Sequence, residues 1–576
     1  MIPLIRRRAT TSLQIDNTLY NSCSPLLQKI FAGRGVQSSQ ELDPSLKRLL
    51  PVAKLSGIQQ ASELLHRALV AQQHILIVAD FDADGATSCA LAVRGLRALG
   101  AKHVSYLVPN RFEYGYGLTP EIVALAAQNQ PDLIITVDNG ISSIAGVEIA
   151  RASNIDVLIT DHHLPGAELP DANAIVNPNL PADQFESKAL AGVGVMFYVL
   201  LALRAELREK QWFSLQDMPE PNLGELLDLV ALGTIADVVP MDSNNRILAE
   251  QGLRRIRADK TKPGIRALIQ VAGLNQRTIS STDLAFMLGP RLNAAGRLAD
   301  MSLGIECLIC DEDSRCLELA QKLDSLNRER REIEREMKDQ AVALVESITF
   351  DDVDLPSGLS LFDSSWHQGV VGIVASRIKD QCHRPVIAFA RDGAGGLKGS
   401  GRSIPGLHLR DLLDLIATQH PDLLSKFGGH AMAAGLTIAE QDYQRFSEIF
   451  AASAARLIDD AMLQKTIDTD GGLSEEEINL ELAQTLKTAA PWGQAFPAPV
   501  FDDEFAVVDT RIVGENHVKL KLRLSDGSRV IDAIAFNASE QEWVGAHAIK
   551  VVYRLEINEY RQNTSVQLLI EHAAVA

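Results

Sequence analysis

Three aspartates stand at alternate positions, Asp80, Asp82 and Asp84, in the run D-F-D-A-D-G that ends at Gly85. An extended backbone points all three the same way, with alternate residues about 6.6 Å apart. Gly85 lets the chain turn sharply after them. Carboxylates this close repel one another and raise each other's pKa unless cations neutralise them. Further on come Asp138 in V-D-N-G, the pair His162-His163 after Asp161, and Asp237 in T-I-A-D-V-V-P. A mostly carboxylate set with imidazole suits manganese or magnesium better than structural zinc. Two such ions about 3.5–4 Å apart activate a water and stabilise in-line displacement at phosphorus. A calcium loop of the helix-loop-helix type is the competing reading of D-F-D-A-D-G. It fails because the run follows an apolar strand and lacks the loop's closing glutamate.

The elements around these residues predict how they are positioned. His74–Ala79 is an apolar strand leading into the aspartates, and a helical stretch follows over Ala86–Leu99, with Gly100 placed to end it. Val104–Val108 is a second strand. Thr119-Pro120 reads as an N-cap with proline at the first helical position, opening a helix to about Gln128. Leu133–Val137 is a third strand, ending at Asp138, and Val157–Thr160 a fourth, ending at Asp161. Alternating strands and helices imply a parallel sheet covered on both faces. In such sheets ligands bind beyond the carboxyl ends of the strands. The acids and histidines fall at three of those ends, which makes their placement informative beyond their number.

The whole chain of 576 residues has room for about three or four domains. Its 46% apolar and 22% charged residues are ordinary for a globular protein. The net charge of −19 argues against a body coated in basic residues, though a local basic groove remains compatible with it. Six cysteines in this length imply no disulfide framework. Cys307-x-x-Cys310 lacks a second pair to complete a zinc site, so the expectation is two buried helical thiols. Arg6–Arg8 is basic but followed by polar residues, so no secretion signal is expected. The apolar stretch Ala189–Leu203 is too short to span a bilayer and reads as a buried helix. No membrane association and a cytoplasmic location are expected.

Beyond the first α/β region, Leu317 to about Glu346 reads as a long charged helix connecting domains. Glycine-rich stretches mark a second α/β region, roughly 355–460. From about 465 the chain turns to β-strands. In His517–Leu524, strict alternation puts Val518, Leu520, Leu522 and Leu524 on one face and Lys519, Lys521 and Arg523 on the other. Further strands are expected at Val530–Phe536, Lys550–Ile557 and Ser565–Ile570. Together they suggest a small β-barrel such as an OB-fold. The basic strand face is either a nucleic-acid contact or a solvated exterior.

D-F-D-A-D-G, V-D-N-G, D-H-H and the aspartate of I-A-D resemble the four motifs of the DHH phosphoesterase superfamily. G-P-R-L-N-A-A-G-R (Gly289–Arg297), W-H-Q-G-V-V-G-I-V-A-S-R (Trp366–Arg377), G-S-G-R-S (Gly399–Ser403) and G-G-H-A-M-A-A-G (Gly428–Gly435) resemble its RecJ family in particular. Pro491–Phe501 resembles the lead-in to that family's OB domain. The ordered set covers about 50–576. The resemblance implies an N-terminal extension (1–55), a parallel-sheet DHH catalytic domain (56–310), a connecting helix (311–350), an α/β DHH-associated domain (351–462) and a C-terminal OB-fold barrel (463–576).

It also implies an activity: 5′→3′ hydrolysis of single-stranded DNA to mononucleotides with two ions, Mn2+ or Mg2+. A strand would enter a groove too narrow for a duplex. By resemblance Asp82 and Asp138 hold one metal, and Asp84, Asp138, His162 and Asp237 the other. Asp80 stands in for a histidine that other branches place near the first metal. His163 contacts the scissile phosphate or the attacking water, and Asp161 orients it. Arg111 serves phosphate, and Phe112, Tyr114 or Tyr116 serve stacking. Ser400 and Arg402 resemble a pocket for a terminal 5′-phosphate, and Arg297 and His430 face the cleft. The family works in recombination and repair, with a single-strand-binding protein and a helicase as partners, and a monomer is expected. Two rival readings are a phosphoesterase of short or cyclic oligonucleotides, against which the barrel counts, and a non-catalytic strand-binding scaffold, against which the full ligand set counts.

Overall fold

The structure, a computed structural model, describes residues 3–9, 23–109, 117–349, 355–393, 395–514, 516–525, 527–560 and 563–576. The chain forms two compact units, one of residues 1–6 and 325–467, the other of 7–324 and 468–576.

The larger unit is built on a five-stranded parallel sheet. Its strands are β1 (Ile75–Ala79), β2 (Val104–Leu107), β3 (Leu133–Val137), β4 (Asp156–Thr160) and β5 (Ala174–Val176), in the order β2-β1-β3-β4-β5. Every residue of β1 and β3 is buried, as continuous apolar runs require when helices cover both faces. The order reverses at β1, so the carboxyl ends of β1 and β3 flank a switch point where such sheets bind ligands. Three-residue β5 was not anticipated; A-I-V is too short to show a period. Around the sheet lie α1 (Ala83–Ala98), α2 (Pro120–Ala127), α3 (Ile144–Ala152), α4 (Gly192–Glu209), α5 (Leu227–Ala236), α6 (Ser243–Arg257) and α7 (Gly289–Leu298). Thr119 caps α2 through its side chain, with Pro120 at the first position, as expected.

The aspartate run departs from expectation. It is not extended: β1 stops at Ala79, Asp82 is the N-cap of α1, and Asp84 lies in that helix's first turn. The Asp82 carboxylate accepts from Gly85 N at 3.0 Å. Capping by aspartate therefore wins over strand alternation. Gly85 makes no sharp turn either. It sits inside the helix, at a position where a Cβ would lie 2.5 Å from Asp80 O.

The same unit carries the C-terminal barrel: β-strands Phe501–Val513, His517–Leu524, Ile531–Ala535, Ala548–Tyr560 and Asn563–Val575. They close in the order first, second, third, fifth, fourth, as expected for an OB-fold, with the long first strand unforeseen. Cys307 is buried in helix Ser302–Ile309, but Cys310 caps that helix and is partly exposed, so the two are not both buried helical thiols.

The long helix spans Asp313–Thr349, 37 residues, and the two units divide within it. In the smaller unit its residues Met337, Ala341 and Val345, spaced by four, join the core under a mixed sheet. That sheet runs Lys426–Gly429, Ala433–Ala439, Gly396–Arg402, Val386–Arg391, Leu359–Phe362. Only its last pair is parallel. The fold class is α/β with a C-terminal β-barrel. Among the described residues no helix is long and apolar enough to cross a membrane.

Candidate metal centre

Asp80 follows β1, Asp138 follows β3, and Asp161, His162 and His163 follow β4, so the sheet delivers them to one edge. Asp237 arrives separately, as the C-cap of α5. Three sets have one donor atom each within 4.8 Å of one another: Asp80, Asp82 and Asp138; Asp84, His162 and Asp237; Asp138, His162 and His163. His162 Nε2 lies 3.1 Å from Asp138 Oδ1 and 3.5 Å from Asp237 Oδ2. Asp138 and His162 thus link the sets.

The backbone positions each acid. Asp138 sits at φ +63°, a left-handed conformation that aspartate tolerates better than most residues. Asp84 is fully buried, and its two oxygens accept from Gly192 N at 2.7 Å and Val193 N at 3.0 Å, at the start of α4. Gly192 is also a steric necessity: a Cβ there would lie 2.6 Å from Asp138 Oδ1. Asp80 Oδ1 accepts from Phe81 N at 2.7 Å. Asn293 on α7 accepts from Ala83 N at 2.7 Å, while Gly296 of the same helix lets α7 touch Phe81; a Cβ there would lie 1.8 Å from Phe81 O. G-P-R-L-N-A-A-G-R therefore grips the aspartate loop, a role the motif alone did not reveal.

The carboxylates perturb one another. Burial, then the charge of Asp82, pushes Asp84 up to about 7 against the pull of the Val193 and Gly192 amides. Burial and the neighbouring aspartates hold Asp138 and Asp237 well above the ordinary range. Bound cations remove both penalties. Oxygen donors in the majority, with imidazole, fit hard divalent ions.

His163 is built differently. Asp161 Oδ1 takes its Nδ1 at 2.7 Å and its backbone N–H at 3.0 Å, while Oδ2 accepts from Ile141 N at 2.9 Å. Nδ1 is therefore engaged by Asp161. Burial disfavours the charged ring, but the Asp161 bond and charge, with Asp80 and Asp82 beyond, outweigh it and raise His163 to about 9. Burial works against the Asp161 charge too; there the His163 bond prevails and holds its pKa low. Asn177 and Asn179, in the N-P-N run after β5, donate to the carbonyls of His163 at 2.9 Å and His162 at 2.6 Å. Sequence reasoning passed over both; N-P-N closing a short apolar run was the available signal.

Arg111, Phe112, Tyr114 and Tyr116 fall outside the described residues. Arg297 is half-buried in the last turn of α7. Ser400, Arg402 and His430 belong to the smaller unit. Arg402 Nη1 donates to Ser400 Oγ at 3.2 Å and Gly401 O at 2.8 Å. Burial alone lowers its pKa, with no carboxylate among the described residues contributing. Helix Val371–Cys382 begins beside it: a Cβ on Gly372 would lie 3.1 Å from Arg402 Nη2. A desolvated guanidinium next to a helix N-terminus favours an anion. His430 is exposed at a hairpin tip.

On the barrel, Lys519, Lys521 and Arg523 face outward while Val518, Leu520, Leu522 and Leu524 are buried. Lys521 is registered between Asp509 and Asp532, whereas Lys519 stands beside Arg511. Phe536, 54% exposed, meets the His517 ring edge-on at 5.1 Å. This aromatic pair next to the basic strand was also missed, because a lone phenylalanine at a strand end reads as core.

Three family models match the chain in order: the DHH family N-terminal domain over residues 74–234, the DHHA1 domain over 355–456 and the RecJ OB domain over 469–572. The single-stranded-DNA-specific exonuclease RecJ of Salmonella typhimurium is 52% identical over 570 residues, covering 99% of this chain and 98% of that protein. The solved structure of Thermus thermophilus RecJ in complex with Mn2+ is 29% identical with a TM-score of 0.79, over 99% of this chain and 80% of that one. The same protein in complex with Mg2+ is 27% identical with a TM-score of 0.74, over 99% and 79%. Identity of this order along the full length, with all three domain types in sequence, leaves one assignment: the chain belongs to the RecJ family of DHH proteins.

Proposed function

We propose that the chain is a 5′→3′ exonuclease that hydrolyses single-stranded DNA to 5′-mononucleotides, in recombination and repair, with two divalent ions, Mn2+ or Mg2+, as cofactor. The observation that carries this is the gathering of Asp80, Asp82, Asp84, Asp138, His162 and Asp237 at the sheet's switch point. Relatives named as single-stranded-DNA-specific exonucleases, and relatives solved with Mn2+ and Mg2+, support it.

Asp80, Asp82 and Asp138 would hold one ion, and Asp84, Asp138, His162 and Asp237 the other, with Asp138 shared. The ions supply the Lewis acidity that activates a water and stabilises in-line displacement at phosphorus. His163, fixed through Nδ1 by Asp161, which raises its proton affinity, would donate from Nε2 to a non-bridging oxygen of the scissile phosphate. That donation strengthens as charge develops there. Arg402, with Ser400, receives a terminal 5′-phosphate and so sets polarity. Lys519, Lys521 and Arg523 hold the strand further along, with bases stacking on Phe536. Arg297, Arg111, Tyr114 and His430 remain proposed strand contacts. The chain works as a monomer in the cytoplasm on strands that a helicase exposes and a single-strand-binding protein covers.

The deciding experiment follows a 5′-phosphorylated oligonucleotide labelled at either end, with Mn2+, with Mg2+ and with chelator. Mononucleotides should leave the 5′ end, only with metal, and duplex should resist. Release from the 3′ end, or equal digestion of duplex, would refute the assignment.

A further inference from the structure

The turn that carries Asp237 is held in an unusual backbone conformation. Asp237 N donates to Gly233 O at 2.9 Å, closing α5. The next residue, Val238, has φ +61° and is 61% exposed. A β-branched residue is disfavoured there, because its Cβ crowds the backbone. Packing of so exposed a side chain does not impose the conformation, so the chain on either side must.

One side is α5. The other is Val239–Asp242, which is held at several atoms. Asn245 Nδ2 donates to Pro240 O at 2.9 Å, and Asp242 caps α6. Met241 is gripped at both ends of its backbone. Its N–H donates to Gln494 O at 2.8 Å, and its carbonyl accepts from Arg246 Nη1 at 2.9 Å. Gln494 belongs to the lead-in of the barrel, not to the catalytic sheet.

That lead-in carries an aromatic stack. The Trp492 and Phe496 rings lie 5.4 Å apart at 16°. Phe31, from helix Pro25–Ala32, stacks on both at 5.9 and 6.3 Å. The Arg246 guanidinium lies over Phe496 at 4.3 Å. Arg34 lies over Trp492 and forms a fully buried pair with Asp470 at 2.6 Å. A chain segment needed only to connect two domains requires no such grip on a turn a few residues beyond a carboxylate of the metal centre.

We propose that this stack is a positioning device for Asp237: Phe496 and Arg246, with Trp492 and Phe31 behind them, hold the 238–241 turn in the strained form that aims Asp237 at His162 and Asp84. The barrel's attachment and the metal centre are then one mechanical unit. The proposal rests on Asp237 being a metal ligand, and the test separates the two.

The full chain is titrated with Mn2+ alone, by calorimetry and by the loss of the free-ion paramagnetic resonance signal. Cleavage of a strand a few nucleotides long is followed against Mn2+ concentration. Asp237→Asn should abolish one Mn2+ site. Phe496→Ala and Arg246→Met should each weaken that site about tenfold, the lower end of what losing a ligand's supporting partner costs. Both should raise the Mn2+ needed for half-maximal cleavage by a similar factor, and Phe496→Trp should restore both quantities. Wild-type Mn2+ affinity in folded Phe496→Ala and Arg246→Met would overturn the positioning role while leaving the ligand assignment intact. Wild-type affinity in Asp237→Asn would overturn the assignment beneath it. If Phe496→Ala does not fold, Arg246→Met decides alone, since it removes the guanidinium and keeps an apolar stem against Phe496.

Discussion

Asp138 does three things at once: it accepts a left-handed backbone, touches His162 and packs where Gly192 leaves space for it. Asp84 is equally constrained by the α4 amides. Replacing either by alanine should therefore remove metal chemistry without removing the strand-binding surfaces. Cleavage should fall by more than the roughly 100-fold that loss of an orienting partner costs, with affinity for a long oligonucleotide nearly kept. Turnover and binding on the same purified variant check this, and near-normal turnover refutes it. Arg402 is a residue of a different kind, a half-buried cation proposed to receive a terminal 5′-phosphate. A hydrogen bond to a charged group is worth about 1.5–3 kcal/mol. Arg402→Ala should accordingly reduce the preference for a 5′-phosphate over a 5′-hydroxyl by about ten- to a hundredfold. An unchanged preference would take end recognition away from this residue.

Elements act on the site through their ends. Strands β1, β3 and β4 stop just before Asp80, Asp138 and Asp161, and the starts of α1 and α4 fix Asp82 and Asp84. Helix α7 contributes no ligand, yet its Asn293 holds Ala83 N and its Gly296 lies against Phe81. Asn293→Ala would leave that amide without its acceptor, a loss of about 1–3 kcal/mol if no water replaces it. The aspartate loop should loosen as well as the fold. The expected result is a lower Tm together with weaker Mn2+ binding, read by calorimetry. Loss of Tm with unchanged Mn2+ affinity would make α7 a plain packing element.

At the scale of the molecule, charge decides two behaviours. The barrel's outward stripe is not uniform: Asp509 and Asp532 flank Lys521, while Arg511 reinforces Lys519. Each phosphate contact on a single strand adds about 0.7 to the log–log salt slope. Neutralising Lys519, Lys521 and Arg523 together should lower the slope by about 1.4, the equivalent of about two effective contacts, with Lys519→Ala costing more than Lys521→Ala. Affinities across several salt concentrations, in an Asp84→Ala background to prevent digestion, provide the measurement. An unchanged slope would put this face in solvent only.

The second behaviour is the pH dependence of the metal-free chain. Asp84, Asp138 and Asp237 stay protonated in the fold at pH values where the unfolded chain, with carboxylates near about 4, has released its protons. The folded state binds more protons between about pH 4 and the Asp84 value of about 7, so stability falls as pH rises through that window. In chelator, Tm should drop between about pH 5 and about pH 7.5, and Asp84→Asn should lessen the drop. Mn2+ should raise Tm more at the higher pH, because metal replaces protons on the same oxygens. A metal-free Tm that climbs over this range would contradict the assignment.

The sequence by itself determined the alternation of strands and helices, the buried β1 and β3, the closed barrel and the family. Each rests on local periodicity or on ordered motifs, which survive without knowledge of distant contacts. It also named Asp80, Asp138 and His162, because such residues at strand ends stand out in a linear string, and Asp82, Asp84 and Asp237, because their motifs resemble those of the family. What it could not supply was how those residues are aimed. Alternation suggested an extended D-F-D-A-D-G, yet Asp82 caps a helix, and capping depends on where Gly85 and the α1 amides lie in space. Only the tertiary structure decided that Asn293, Gly296 and Gly192, more than a hundred residues from Asp84, shape its surroundings. Only it showed that Lys521 faces carboxylates from both neighbouring strands and that Gln494 reaches Met241. The physical reason is common to all of them: periodicity reports what a residue's own element requires, whereas hydrogen bonds, register and close approach are set by chain segments that meet only after folding.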